Sequence, residues 1–183
     1  MLLSLLTLWL LGLGPMPTAN GGTPSRFRYV GWIGNDVLSI ERQDGDISRG
    51  RMEYGNDVGF DVEFCEESSD FICFFSALHA FAVPKRLNPT ERSWTVRGIK
   101  FELVGEDLTI SLFGRRLGGL YLIRTPADAT VLGRQTGKPA FSLFSPTNGL
   151  VGLYLYRELR TYWMDGAYGF GASPAGDLVP STE

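Results

Sequence analysis

Residue types able to carry chemistry are few in this chain, beginning with a single histidine, His79, and two cysteines, Cys65 and Cys73. One imidazole limits acid–base chemistry near neutral pH to one side chain. A serine triad built on His79 would need a nucleophile on a strand-to-helix elbow, and no Gly-x-Ser-x-Gly occurs. A thiol enzyme would need a free thiolate beside the imidazole. Two cysteines so close together in an exported chain read instead as a disulfide. Closing that loop is expected to stabilise the fold by about 2.5 kcal/mol, through entropy removed from the unfolded chain. The competing reading is a pair of buried thiols. His79 is expected to be structural, and no catalytic residue is assigned.

One histidine and two cysteines are too few soft ligands for a closed zinc site, so no metal or cofactor is expected. The segment between the cysteines, Glu66-Glu67-Ser68-Ser69-Asp70, offers the oxygen ligands that calcium takes, but more often such a loop is a charged, solvated hairpin tip. Gly133-Arg134-Gln135-Thr136-Gly137-Lys138-Pro139 superficially resembles a phosphate-binding loop. Its glycines are one residue too close, and Pro139 stands where the magnesium-binding hydroxyl belongs. Proline also bars Asn88-Pro89-Thr90 from acting as a glycosylation acceptor.

Two further sources of function remain. Asp and Glu number 20, and two of them facing each other across a cleft would suffice for glycosidic hydrolysis, although sequence spacing does not reveal such a pair. Aromatic residues gather toward the C-terminus as Tyr154, Tyr156, Tyr162, Trp163, Tyr168 and Phe170. Aromatic side chains with polar tips suit binding surfaces because they bury large area at low entropic cost. They suit strand packing equally. Trp94, Tyr121, Tyr154 and Trp163 are the binding residues to test, with core packing as the competing assignment.

The elements that must position these groups are strands, because the dominant pattern is alternation with a period of two. Met52, Tyr54, Val58, Phe60, Val62 and Phe64 alternate with Arg51, Glu53, Asp57, Asp61 and Glu63 around a turn or bulge at Gly55-Asn56-Asp57. Ile99, Phe101 and Leu103 alternate with Lys100 and Glu102, and Leu108, Ile110 and Leu112 alternate with Thr109 and Ser111. Val104-Gly105-Glu106-Asp107 between them predicts a hairpin turn. Further strands are predicted at 27–33, 37–42, 46–54, 71–76, 94–96, 117–124, 140–144, 150–156 and 161–170. Residues 76–82 and 156–162 could each form a short helical turn, and 125–147 read as a long excursion.

The fold class that follows is all-β: an antiparallel meander of about ten strands in a closed or partly closed barrel, or alternatively a β-sandwich, with one short helix possible. In general layout this resembles the lipocalin-like meanders, a likeness of fold that implies nothing about function.

A hydrophobic share of 44% with 20% charged residues places the 183-residue chain among globular domains, and one core is expected. The uncharged apolar run from Met1 to Leu13, broken at Gly14-Pro15, is too short to span a membrane and reads as a signal peptide over 1–21. A single domain over 22–170 and a disordered tail over 171–183 follow. A net charge of −3 and the absence of a basic stripe argue against nucleic acid as a partner. The expected protein is an exported, non-catalytic binding or interaction module, periplasmic or secreted, with no integral membrane segment once the signal is removed. Its partner would be an apolar small molecule or a protein. A carboxylate-dependent hydrolase of the cell envelope and a small outer-membrane barrel are the alternatives.

Overall fold

The computed structural model describes residues 26–31, 36–44, 46–55, 58–127, 130–131, 134–135, 139–155 and 160–173. The expected signal peptide, the tail beyond Ser173 and most of Gly133–Lys138 lie outside them. The strands are β1 (Arg26–Gly31), β2 (Val37–Gln43), β3 (Asp46–Tyr54), β4 (Val58–Phe64), β5 (Phe71–Ser76), β6 (Ala80–Pro84) and β7 (Ser93–Val96). They continue as β8 (Ile99–Leu112), β9 (Arg115–Thr125), β10 (Thr130–Val131), β11 (Arg134–Gln135), β12 (Ala140–Ser145), β13 (Gly149–Leu155) and β14 (Arg160–Met164).

Twelve of these strands make one sheet in the order β6-β5-β4-β3-β2-β1-β14-β13-β12-β9-β8-β7, while β10 and β11 pair separately. Every pairing is antiparallel, and the first strand pairs with the last, Tyr29 standing opposite Met164. A meander whose ends pair curls into a barrel, and here only one seam, between β6 and β7, lacks a ladder. This is the nearly closed barrel expected, not the sandwich.

The alternation decides which face is buried. Phe27, Tyr29, Leu38, Ile40, Met52, Val62 and Phe64 point inward from β1–β4 and are buried. On the outer face of the same strands, Arg26, Glu41, Arg51 and Asp61 stand in one cross-strand row. Cross-strand opposite charges favour this register, and a shift of one residue would place the whole row in the core.

The open edge of β6 does not project unpaired. Its carbonyls at Ala82 and Ala80 accept hydrogen bonds from Trp94 Nε1 (3.0 Å, from β7) and Thr125 Oγ1 (2.9 Å, from β9). Side-chain donors thus stand in for the missing strand, which blocks pairing with another chain.

Three local expectations differ from the structure, the first being the strand predicted at 161–170, which ends at Met164. Residues 99–112 form one long strand, β8, instead of a hairpin. Its register against β9 slips between Leu103 and Gly105, between Gly105 and Leu108, and between Leu108 and Ile110, so Gly105 and Asp107 (φ 50°) make bulges within a continuous strand. The reversal comes later, at Phe113 and Gly114, both with positive φ (48° and 78°) as a two-residue hairpin requires. Among the described residues there is no helix. Within 76–82, the Ser76 hydroxyl accepts from the amides of Leu78 and His79 and donates to His79 O, closing a tight turn from which β6 departs.

Candidate functional site

The four aromatic candidates do not form one site. Trp94 is buried at the seam, where its indole bonds Ala82. Tyr121 stands opposite Phe144, whose ring meets Phe81 in the lumen, so Tyr121 belongs to the inner face. Tyr154 and Trp163 do come together. With Gly152 opposite Trp163 and Thr161 opposite Tyr154, they share the outer face of adjacent strands. Trp163 lies over Gly152, where a Cβ would stand 2.8 Å from the ring. It belongs to an uncharged outer row of Leu122, Leu143, Gly152, Trp163, Val30 and Val37.

His79 lies at the turn between β5 and β6, buried, with Nε2 2.9 Å from Ser142 Oγ on β12. Its Nδ1 is buried with no hydrogen-bond partner among the described residues. A neutral imidazole meets this best with Nε2–H donating to Ser142, since a bare acceptor costs less than a bare donor. Burial pulls the imidazole pKa down from 6.5 to about 3. Ser142 is equally buried, so this serine–histidine pair braces the core.

The two cysteines are bonded, with Cα atoms 5.2 Å apart. Lys85 closes over their loop by donating from Nζ to Glu67 O (2.5 Å) and from its amide to Asp70 O (2.8 Å). Among the described residues no three His, Cys, Asp or Glu side chains converge to hold a metal.

The most elaborated candidate lies at the same end of the barrel as this loop. Past Met164 the chain turns back across that end as a strap, residues 165–173. Gly169 donates to Asn148 O (2.7 Å), Leu150 to Phe170 O (2.8 Å) and Ser173 to Pro146 O (3.1 Å), while the Arg115 guanidinium donates to the carbonyls of Gly166 and Ala167. Phe170 drops from the strap into the lumen, where its ring meets those of Phe27, Phe64, Phe74 and Phe81 at 5.3–6.4 Å. Its amide donates to the Tyr29 hydroxyl (3.0 Å), and burial drives the Tyr29 pKa upward so that the phenol stays neutral. Glycine is required next: Gly171 has φ 76°, and a Cβ there would stand 2.4 Å from Ile72.

Two clefts flank the strap. One, of about 300 Å³, lies against the disulfide loop and includes Arg42, Lys85, Phe71, Ile72 and Phe170 in its walls. The other, of about 360 Å³, has Leu112, Leu117 and Met164 in its lining beside Phe113, which is 61% exposed. Sequence reasoning missed Arg42, Phe113 and Phe170 as site residues. Phe113 carried a signal, because a two-residue turn at positive φ favours Asn, Asp or Gly over a large aromatic.

Comparison with protein-family models, with curated proteins and with solved structures found no match to this chain.

Proposed function

We propose that this protein is an exported, non-catalytic binding module that engages its partner through the strapped end of the barrel. The observation that carries the reading is the seating of Phe170 among four other phenylalanines. The lumen at that end is closed by the protein's own aromatic rings, which turns recognition outward to the clefts and to the exposed rings of Phe113 and Tyr168. The disulfide supports export, since such bonds persist in oxidising compartments.

Electrostatics weigh against both alternatives. Arginines pair with Glu41, Glu53, Glu63, Glu102 and Asp165 along the outer wall. Asp46 is held below its ordinary range by the hydroxyl and amide of Ser48, the reverse of what a general acid needs. The charged outer rows of β1–β4 also oppose a lipid-facing wall, where basic residues cost about 2–4 kcal/mol each at mid-depth.

A photo-cross-linking residue at position 113, compared with one at Asp61 on the charged wall, tests the proposal in expressing cells. A discrete adduct from position 113 alone is expected. Equal labelling from both positions would remove the strapped end as the binding surface. An uncharged apolar ligand retained inside the lumen in native mass spectra would return the protein to the carrier class, and turnover of envelope polysaccharide would make it a hydrolase.

A further inference from the structure

We infer that the cleft between the disulfide loop and the strap is a receptor site for a small organic monocarboxylate with an apolar body, and that Arg42 is its anion-binding group. This deepens the reading of the strapped end as a binding surface, and rests on that reading.

The argument starts from phase. In β2 the inward positions Leu38 and Ile40 are fully buried, and the same alternation makes residue 42 an inward position calling for an apolar side chain. Arginine stands there instead. Its guanidinium carbon lies 5.1 Å from the centre of the Phe64 ring and 6.0 Å from that of Phe170. Gly50, opposite Arg42 on β3, makes room for this stack, because a Cβ there would stand 2.7 Å from the Phe64 ring. Aromatic faces hold a cation in place but do not satisfy its N–H donors. Arg42 Nε is buried with no acceptor, and no carboxylate among the described residues lies within 4.0 Å of the side chain. Its neighbours on the outer wall, Arg26, Arg28, Arg49 and Arg51, all have carboxylate partners. A local rule broken at one position, with the ring stacking leaving the Nε donor unmet, marks a functional residue.

The remaining lining sets the ligand class. Phe71, Ile72, Phe170 and the disulfide supply an apolar wall of the kind that takes a hydrocarbon or aromatic body. Lys85 adds a second cation, fixed by its bond to Glu67 O. Glu66 and Glu67 also line the cleft and bring its formal charge back to zero against Arg42 and Lys85. That balance admits one added negative charge and disfavours a dianion such as a phosphate monoester.

Titration of the oxidised, signal-free chain with hexanoate, followed by the ¹⁵N–¹H signal of Arg42 Nε, tests the assignment. Saturable movement of that signal is expected with hexanoate, and neither hexan-1-ol nor methyl phosphate should reproduce it. Arg42→Gln should weaken hexanoate binding at least about tenfold, the scale of a lost charge-assisted hydrogen bond, at an unchanged thermal midpoint. Lys85→Gln should weaken it severalfold while the Arg42 signal still responds, which keeps the test open if Arg42→Gln folds poorly. Equal responses to hexanoate and hexan-1-ol, or full affinity in both variants, would overturn the carboxylate site. Failure here with a persisting adduct at position 113 would sink this site alone. Loss of that adduct would sink the reading beneath it.

Discussion

Acid should destabilise this protein through His79 in a calculable way. The folded imidazole titrates near 3 and the unfolded one near 6.5, so between those values the unfolded chain binds the proton and the native chain does not. The contribution of the neutral imidazole is therefore complete above pH 6.5 and falls progressively as the pH drops toward 3. Integrating that difference gives a loss of about 2 kcal/mol at pH 5 and about 3 kcal/mol at pH 4. The structural cause is specific: a proton on Nδ1 would create a buried donor with no acceptor, near the Phe74 ring centred 5.9 Å away. His79→Gln keeps an amide able to donate to Ser142 Oγ and does not titrate. Urea unfolding of both proteins at pH 7, 5 and 4 isolates the effect, because carboxylate contributions cancel in the difference. The gap between native protein and variant should shift in the variant's favour by about 2 and then about 3 kcal/mol. A gap constant to within about 0.5 kcal/mol would refute the buried neutral imidazole.

Three other perturbations follow from the geometry. Trp94→Phe keeps the ring at the seam but strips the donor from Ala82 O, so denaturant unfolding should show a loss of about 1 kcal/mol, and unchanged stability would mean that the bond does not hold the seam. Replacing Cys65 and Cys73 together with serine should cost about 2.5 kcal/mol by the same assay, with little change in far-ultraviolet circular dichroism; loss of the β signal would show the disulfide to be essential for folding. Phe113→Asn relieves a large side chain at φ 48° and should leave thermal stability equal or raise it by about 0.5 kcal/mol; marked destabilisation would show that Phe113 is there to pack.

The meander was legible because its signal is local. Alternation at Phe60, Val62 and Phe64 against Asp61 and Glu63 fixes which side chains face the lumen, whatever the strand pairs with. The pairing itself is not local, and there the sequence misled. Gly105 with Asp107 is compatible with a turn or with bulges; only the glycines at 118 and 119 on β9, with Gly119 at φ 61°, let the partner strand follow a bulged β8. Residues 80–84 illustrate the same limit. Ala80-Phe81-Ala82-Val83 is a short apolar run that suits a helical turn as well as a doubly buried strand, and the antiparallel ladder with β5 makes it a strand.

The site was less legible for a related reason. Aromatic density located packing, as Tyr162 shows, because large rings are what a strand barrel uses to fill itself. Phe170 reads as the end of a strand over 161–170, but β14 stops at Met164, and the small residues Gly169, Gly171 and Ala172 let the backbone beyond it pass close to Leu150 and Ile72. Breaks in pattern would have served better than abundance. Arg42 interrupts an inward apolar series, and Phe113 occupies a turn position suited to a small or polar residue; both lie at the end the strap closes. A barrel filled by its own side chains leaves recognition to such positions, since every inward residue that packs well is already committed to the fold.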